Sequence, residues 1–271
     1  ILREGGLVAF PTETVYGLGA NALDEQAAKK IYAAKGRPSD NPLIAHIADF
    51  HQVDTLVKEI PKEGRRLMEA FWPGPLTLIF DKSEIVPYGT TGGLDTVAVR
   101  MPRDPIARAL IRLAGVPVAA PSANVSGRPS PTTADHVWQD MNGKIDMIID
   151  GGPVGIGVES TIIDVSGDEP MILRPGAVTQ EMASEVLGRK IGLDPAITGT
   201  GPVRGDMRPK APGMKYRHYA PKASLTLVEG QMEDVIWAIN QLAKEKLGQG
   251  FVTGIICTDE TRDRYSQGIV R

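Results

Sequence analysis

The chain has 271 residues, of which 33 are acidic and 30 basic, giving a formal net charge of −3 at pH 7 and a pI near 5.9. At 42% hydrophobic and 23% charged it has the composition of a globular protein, neither a disordered tail nor a membrane protein, and its charge balance excludes a global attraction to nucleic acid. One cysteine, Cys257, excludes an internal disulfide framework and a cysteine-built metal cluster, and reads as a small core hydrophobe ending the apolar run from Gly254.

Short β-rich runs alternate with helical stretches. Strands are expected at Leu7–Phe10, Leu43–Ile47, Leu76–Phe80, Thr96–Met101, Val116–Ala120, Asp146–Asp150, Thr161–Val165 and Met171–Arg174. Helices are expected at Asp24–Ala34, Pro61–Phe71, Asp104–Ala114, Thr133–Met141 and Thr179–Leu187, with Asp24, Asp104 and Thr179 as N-caps and Gly188 as a stop. Because some neighbouring strands have no helix between them, the expected sheet is mixed or antiparallel. Periodicity fades near Ile191, so 191–222 reads as a linker between a domain at 1–190 and a second one at 223–271. That second part reads as strand Ser224–Val228, helix Glu233–Lys246 and strand Phe251–Cys257. The start at Ile1 without Met and the end at Arg271 after an apolar segment read as trimmed boundaries. No leader and no long uncharged run is evident, so a cytoplasmic location without membrane contact is expected.

Glycine (30) and proline (21) are unusually frequent and mark shaped loops. The segment Phe10 to Asn21, with Thr12, Glu13, Thr14 and Tyr16, reads equally as a turn or a ligand-lining loop; Gly17-x-Gly19 lacks the third glycine and helix of a dinucleotide fingerprint. Lys35-Gly36-Arg37-Pro38 at a helix C-terminus suits an anion, Arg37 offering a planar fork and Lys35 a point charge, although cations there also complement the helix dipole. His46 shares a strand face with Ile44, and alternation puts Thr96, Ala98 and Arg100 on one face of the next strand, opposite Val97, Val99 and Met101. The run Pro117 to Thr133 supplies Ser122, Asn124, Ser126 and Ser130, donors of the kind that line phosphate sites, without the elbow of a serine hydrolase. Gly151 to Thr161 is glycine-rich without a P-loop lysine, and the linker collects Arg204, Arg208, Lys210, Lys215, Arg217 and Lys222 around Tyr216, His218 and Tyr219.

Together PTETVYGLG, KGRPSDNPL, TVAVRMP, APSANVSGRPSPT, VESTIID, ILRPG and KAPGMKYRHYAP resemble the L-threonylcarbamoyladenylate synthases, the YrdC-like enzymes, in their longer form with a C-terminal domain. The resemblance implies an α/β fold: a YrdC-like twisted mixed sheet with flanking helices, then a linker and a smaller Rossmann-like domain, truncated here. It implies that L-threonine, bicarbonate or CO₂, and ATP give L-threonylcarbamoyl-AMP and pyrophosphate, with Mg²⁺ carried by the ATP phosphates and no protein ligand assigned to it. A threonylcarbamoyl-transferase complex acting on tRNA would consume the product. By the same resemblance Thr14, His46, Arg100, Ala120 and Ser160 would line a threonine site, with Arg100 on the carboxylate. Arg37, Asn41, Thr96, Ser122, Asn124, Ser130, Arg174 and Tyr219 would contact ATP, with Lys35 beside its phosphates; Lys35 and Arg37 would be catalytic. Tyr219 would bring the linker over the site. The alternative is an RNA- or tRNA-binding module of the same fold without catalysis. The single cysteine separates the chain from the carbamoyl-transfer relative of hydrogenase maturation, which carries zinc-finger cysteines.

Overall fold

A computed structural model describes residues 1–198, 209–211 and 223–266. The chain divides into two units, Ile1–Ala220 and Pro221–Arg271. In the first, strands β1 (Val8–Phe10), β2 (Gly17–Asn21), β3 (Ile44–His46), β4 (Leu76–Asp81), β5 (Thr96–Arg100), β6 (Val118–Ala119), β7 (Met147–Ile148), β8 (Thr161–Asp164), β9 (Met171–Arg174) and β10 (Gly192–Leu193) form one mixed sheet. Its order is β10-β9-β8-β4-β5-β3-β6-β2-β1-β7. Helices α1 (Glu25–Lys35), α2 (Lys62–Phe71), α3 (Pro105–Ala114), α4 (Ala134–Met141) and α5 (Gln180–Leu187) flank it. Among the described residues no helix is long and apolar enough to cross a membrane.

The helix ends follow the cap chemistry read from the sequence. Asp24 accepts from the amides of Gln26 and Ala27, Asp104 from those of Ile106 and Ala107, and Thr179 from that of Met182. Gly36, Gly115 and Gly188 close α1, α3 and α5 in the left-handed conformation.

Strand alternation divides the core between the two sheet faces. Ala45, Leu78, Val97, Val99, Ile163 and Ile172 join one large cluster with Ile31 of α1, Leu67 of α2, Val137 of α4 and Leu187 of α5. Their neighbours on the strands face the other way. Phe10, Val118 and Ala120 pack on Ala107 and Ile111 of α3, whereas Ile44, Ile79, Ala98, Ile162 and Leu173 pack around the buried Ala211. The 209–211 segment is held there further by Lys210, whose Nζ lies 3.4 Å from an Asp164 carboxylate oxygen. Among the described residues, that second face is therefore covered at both ends and open between them.

In the first unit two segments depart from the sequence expectations. Gly17–Asn21, expected as a loop or turn, is a buried strand between β1 and β6. Its glycines are there for space: a Cβ on Gly19 would stand 2.7 Å from Val118 Cγ1 and 2.8 Å from Phe10 Cε1. The sheet also extends past Ile191, since Gly192–Leu193 pairs in parallel with Met171–Ile172.

In the second unit, a helix (α6, Met232–Gly248) packs Ile236 and Ala243 against Ile255 and Tyr265, with the half-buried Cys257 at the edge. The expected strands at 224–228 and 251–257 are not formed among the described residues. Of these residues Gly254 alone carries a bridge, and Leu225, Leu227, Val252 and Ile256 are exposed.

Candidate active site

Among the described residues, the open stretch of the second sheet face carries a cleft whose empty space, counting the solvent at its mouth, is about 550 Å³. It gathers Thr14, His46, Arg100, Ala120 and Ser160 with Arg37, Ser122 and Arg174, from segments spread across more than half of the chain. Lys35, Asn41, Thr96, Asn124 and Ser130 do not line it, and Tyr219 lies outside the described residues.

At one end the guanidinium of Arg100, only 3% exposed, is held on three sides. Its Nε donates to the Gly74 carbonyl at 3.3 Å, Nη1 to Thr14 Oγ1 at 2.9 Å and Nη2 to Glu13 Oε1 at 2.7 Å. Thr14 is fixed in turn. The single hydroxyl proton of Thr12 goes to the Val15 carbonyl, so Thr14 must be the donor in the 2.9 Å contact between the two threonine hydroxyls. Burial works to raise the Glu13 carboxyl, but the charge and hydrogen bond of Arg100, with two backbone amides, hold it below the usual range.

His46 stands beside Arg100 in register on β3, its ring edge-on to Phe10. Burial, reinforced by the Arg100 charge, pushes its pKa down to about 3. The ring is therefore neutral. Nδ1 lies 3.0 Å from the Ile44 carbonyl, which can only accept, so Nδ1 donates in that contact, and the Val118 backbone also hydrogen-bonds the ring. The unfolded chain protonates this histidine near 6.5, so the stability of the neutral buried ring is fully present above pH 6.5 and falls as pH drops toward 3. The expected NMR result is a His46 ring signal that stays flat from pH 8 down to about 4; an inflection near 6.5 overturns the burial argument.

Ser160 joins the two ends of the cleft. Its hydroxyl lies 2.7 Å from that of Thr77, buried on β4, and Arg174 grips its carbonyl through Nε at 3.0 Å and Nη2 at 2.9 Å. Gly176 makes room for this: a Cβ there would lie 2.6 Å from the Glu159 carbonyl and the Thr161 nitrogen. Arg37, 8% exposed, is braced by the carbonyls of Asn41 and Pro42. The Oδ1 of Asn41 is a buried side-chain oxygen without a hydrogen-bond partner among the described residues.

The remaining predicted residues sit behind or beside the cleft. Lys35 ends α1 on its buried side, and its Nζ donates to the carbonyls of Ser122 and Asn124 rather than facing open space. Burial first, and then the nearby Arg37, pull its pKa well below the ordinary lysine value. Asn124 turns its amide to the Val125 and Arg128 carbonyls. Ser130 donates to Glu159, which does line the cleft. Thr96 is four residues up β5 from Arg100, roughly 13 Å at strand rise. Sequence reasoning gave no individual role to Glu13, Thr77 or Glu159, although Glu13 and Glu159 lie in segments it singled out and Thr77 interrupts the apolar run Leu76–Phe80.

A family model for Sua5, YciO and YrdC proteins, described as "Telomere recombination", matches residues 1–176, and one described as "Threonylcarbamoyl-AMP synthase, C-terminal domain" matches 178–271. A threonylcarbamoyl-AMP synthase of Pyrococcus abyssi (strain GE5 / Orsay) is 56% identical over 255 residues, 94% of this chain and 74% of that protein. One of Bacillus subtilis (strain 168) is 50% identical over 272 residues, 100% of this chain and 76% of that protein. The crystal structure of P. abyssi Sua5 complexed with L-threonine matches with a TM-score of 0.92 at 54% identity, covering 100% of this chain and 77% of that one.

Proposed function

The chain belongs to the Sua5/YciO/YrdC family of threonylcarbamoyl-AMP synthases, and on that premise we propose that the cleft is its active site, with threonine at the Arg100 end and ATP at the end formed by Arg37 and Arg174. The protein is an enzyme that converts L-threonine, bicarbonate or CO₂, and ATP to threonylcarbamoyl-AMP and pyrophosphate, for tRNA modification. The observation that carries the residue assignment is the pairing of a fixed guanidinium with a neutral histidine in a cleft that Ser160 and Arg174 also line.

In this reading Arg100 takes the threonine carboxylate, while Thr14 and the neutral His46 line the place of its hydroxyl and amine. The amine adds to CO₂ derived from bicarbonate and loses a proton to give a carbamate. A carbamate oxygen then attacks the α-phosphorus and pyrophosphate departs. Because charge gathers on phosphate oxygens, the residues' work is positioning and electrostatic: Arg37 and Arg174 act on the nucleotide directly. Lys35 acts through the loop at Ser122, and the unpartnered Asn41 Oδ1 is an acceptor for the nucleotide or for a neighbour that ATP brings into place.

Mg²⁺ we assign to the nucleotide. Mg²⁺ characteristically keeps several waters and is bound largely through substrate phosphates, which is the ground for this assignment. When bound, it neutralises charge on the phosphates. Threonylcarbamoyl-AMP is a reactive mixed anhydride, so a transferase complex acting on tRNA in the cytoplasm would consume it. A tRNA-binding role without catalysis is not favoured, and the net charge of −3 offers it no support.

Incubation with ATP, Mg²⁺, bicarbonate and threonine is expected to yield threonylcarbamoyl-AMP and pyrophosphate, each depending on threonine. Arg37→Ala is expected to raise the KM for ATP by about 10- to 100-fold, the worth of one charge-assisted fork. A normal KM in that variant would overturn the nucleotide end as assigned.

A further inference from the structure

Glu13 does not line the cleft, yet it is the acid that faces Arg100. Its Oε1 receives Arg100 Nη2 at 2.7 Å, and its Oε2 receives the Arg103 amide at 3.2 Å. The turn that carries it is pinned as well, since the Ile156 amide donates to the Glu13 carbonyl and the Gly157 amide to that of Thr14. The carboxylate is 12% exposed and its partner 4%, so little solvent screens the pair. Among the described residues, Gly74, Thr14 and Glu13 use three of the five Arg100 N–H groups, leaving one on each of Nη1 and Nη2. With His46 neutral, the formal charge at this end of the cleft is zero.

We propose that Glu13 is the positioning and specificity residue of the amino-acid end: it holds Arg100 with two N–H groups toward the cleft and cancels its charge, so that this end admits a zwitterion and rejects phosphate. The inference rests on the reading that Arg100 takes the threonine carboxylate. A bare buried guanidinium is a good bidentate phosphate site, and the reaction supplies competing phosphates in both ATP and pyrophosphate. With Glu13 behind it, Arg100 offers geometry without excess charge. A carboxylate whose own ammonium travels with it loses little there, whereas a polyanion gains nothing.

The test is inhibition by pyrophosphate in Glu13→Gln, which keeps the shape and an acceptor but removes the charge. In the unaltered enzyme pyrophosphate is expected to compete with ATP alone. In Glu13→Gln it is expected to compete with threonine too, with at least tenfold tighter inhibition. Glu13→Asp, which keeps the charge on a shorter arm, is expected to retain the original inhibition pattern while the KM for threonine rises several-fold and kcat changes little. Thermal melting reports whether each variant is folded, and Glu13→Asp alone decides the matter if the glutamine variant is not. Inhibition unchanged in Glu13→Gln, or a pattern altered equally in Glu13→Asp, overturns the proposal. Arg100→Ala separates the layers. If it abolishes threonine binding while Glu13→Gln behaves as the unaltered enzyme, only the role of Glu13 falls; if it binds threonine normally, the reading of Arg100 falls and this inference with it.

Discussion

Arg100→Ala is expected to weaken threonine binding by at least about a hundredfold and to destabilise the first unit by about 3–5 kcal/mol, the usual cost of removing one member of a buried ion pair. The binding loss follows from the two N–H groups directed to the substrate carboxylate. The stability loss has another origin, because Glu13 would remain buried without its cation. Burial is the largest influence on that carboxyl and acts to raise it, so without Arg100 its pKa would climb above the unfolded value. A raised folded pKa means that the penalty is present above that value and shrinks as pH falls and Glu13 takes a proton. Calorimetric titration with threonine and denaturant unfolding at pH 8 and pH 5 check both parts; a variant equally destabilised at the two pH values would exclude the buried-carboxylate account.

Lys35→Met is expected to lower threonine-dependent pyrophosphate release by at least about a hundredfold with a smaller stability loss, about 1–3 kcal/mol. Methionine fills nearly the same length but leaves the Ser122 and Asn124 carbonyls without their donor, each a buried acceptor. Part of that cost is offset because the lysine is itself expensive to bury, as its depressed pKa records. The loop from Ser122 to Arg128 is further tied through Asp140, which accepts from the Val125 amide and pairs with Arg128. The fold should therefore survive while the loop at the nucleotide end shifts. Full activity in Lys35→Met would show that the loop holds its place without the lysine.

Much of this geometry was legible in the sequence where a periodic rule applied. Alternation in Thr96–Met101 assigned Arg100 to the face of Ala98 and Val99 to the opposite one, and both hold. Asp24, Asp104 and Thr179 cap the helices their spacing marked. Legibility failed where residue type has two physical uses. Gly19 read as part of a turn but serves as clearance for Phe10 and Val118 inside a strand. Lys35 read as a cation either complementing a helix end or meeting an anion; instead its ammonium is spent on two carbonyls about ninety residues away in the chain. Glu13 sat in a quoted motif without a role, because nothing local announces a partner on β5. The strands expected at 224–228 and 251–257 had the right residues, but a strand also needs a neighbour, which no local pattern can supply.

The sheet order has a consequence for synthesis. β1 is flanked by β7, and β4 by β8, so the cleft closes only when residues from Thr12 to Arg174 have all left the ribosome. At ~5–20 residues per second, the first-made turn waits roughly 8–30 s for its last partner. No shorter nascent chain owns a partial enzyme. Until α3 and β6 emerge, Phe10 must be shielded by transient contacts or by chaperones, and the speed of translation itself becomes a term in how much active protein accumulates.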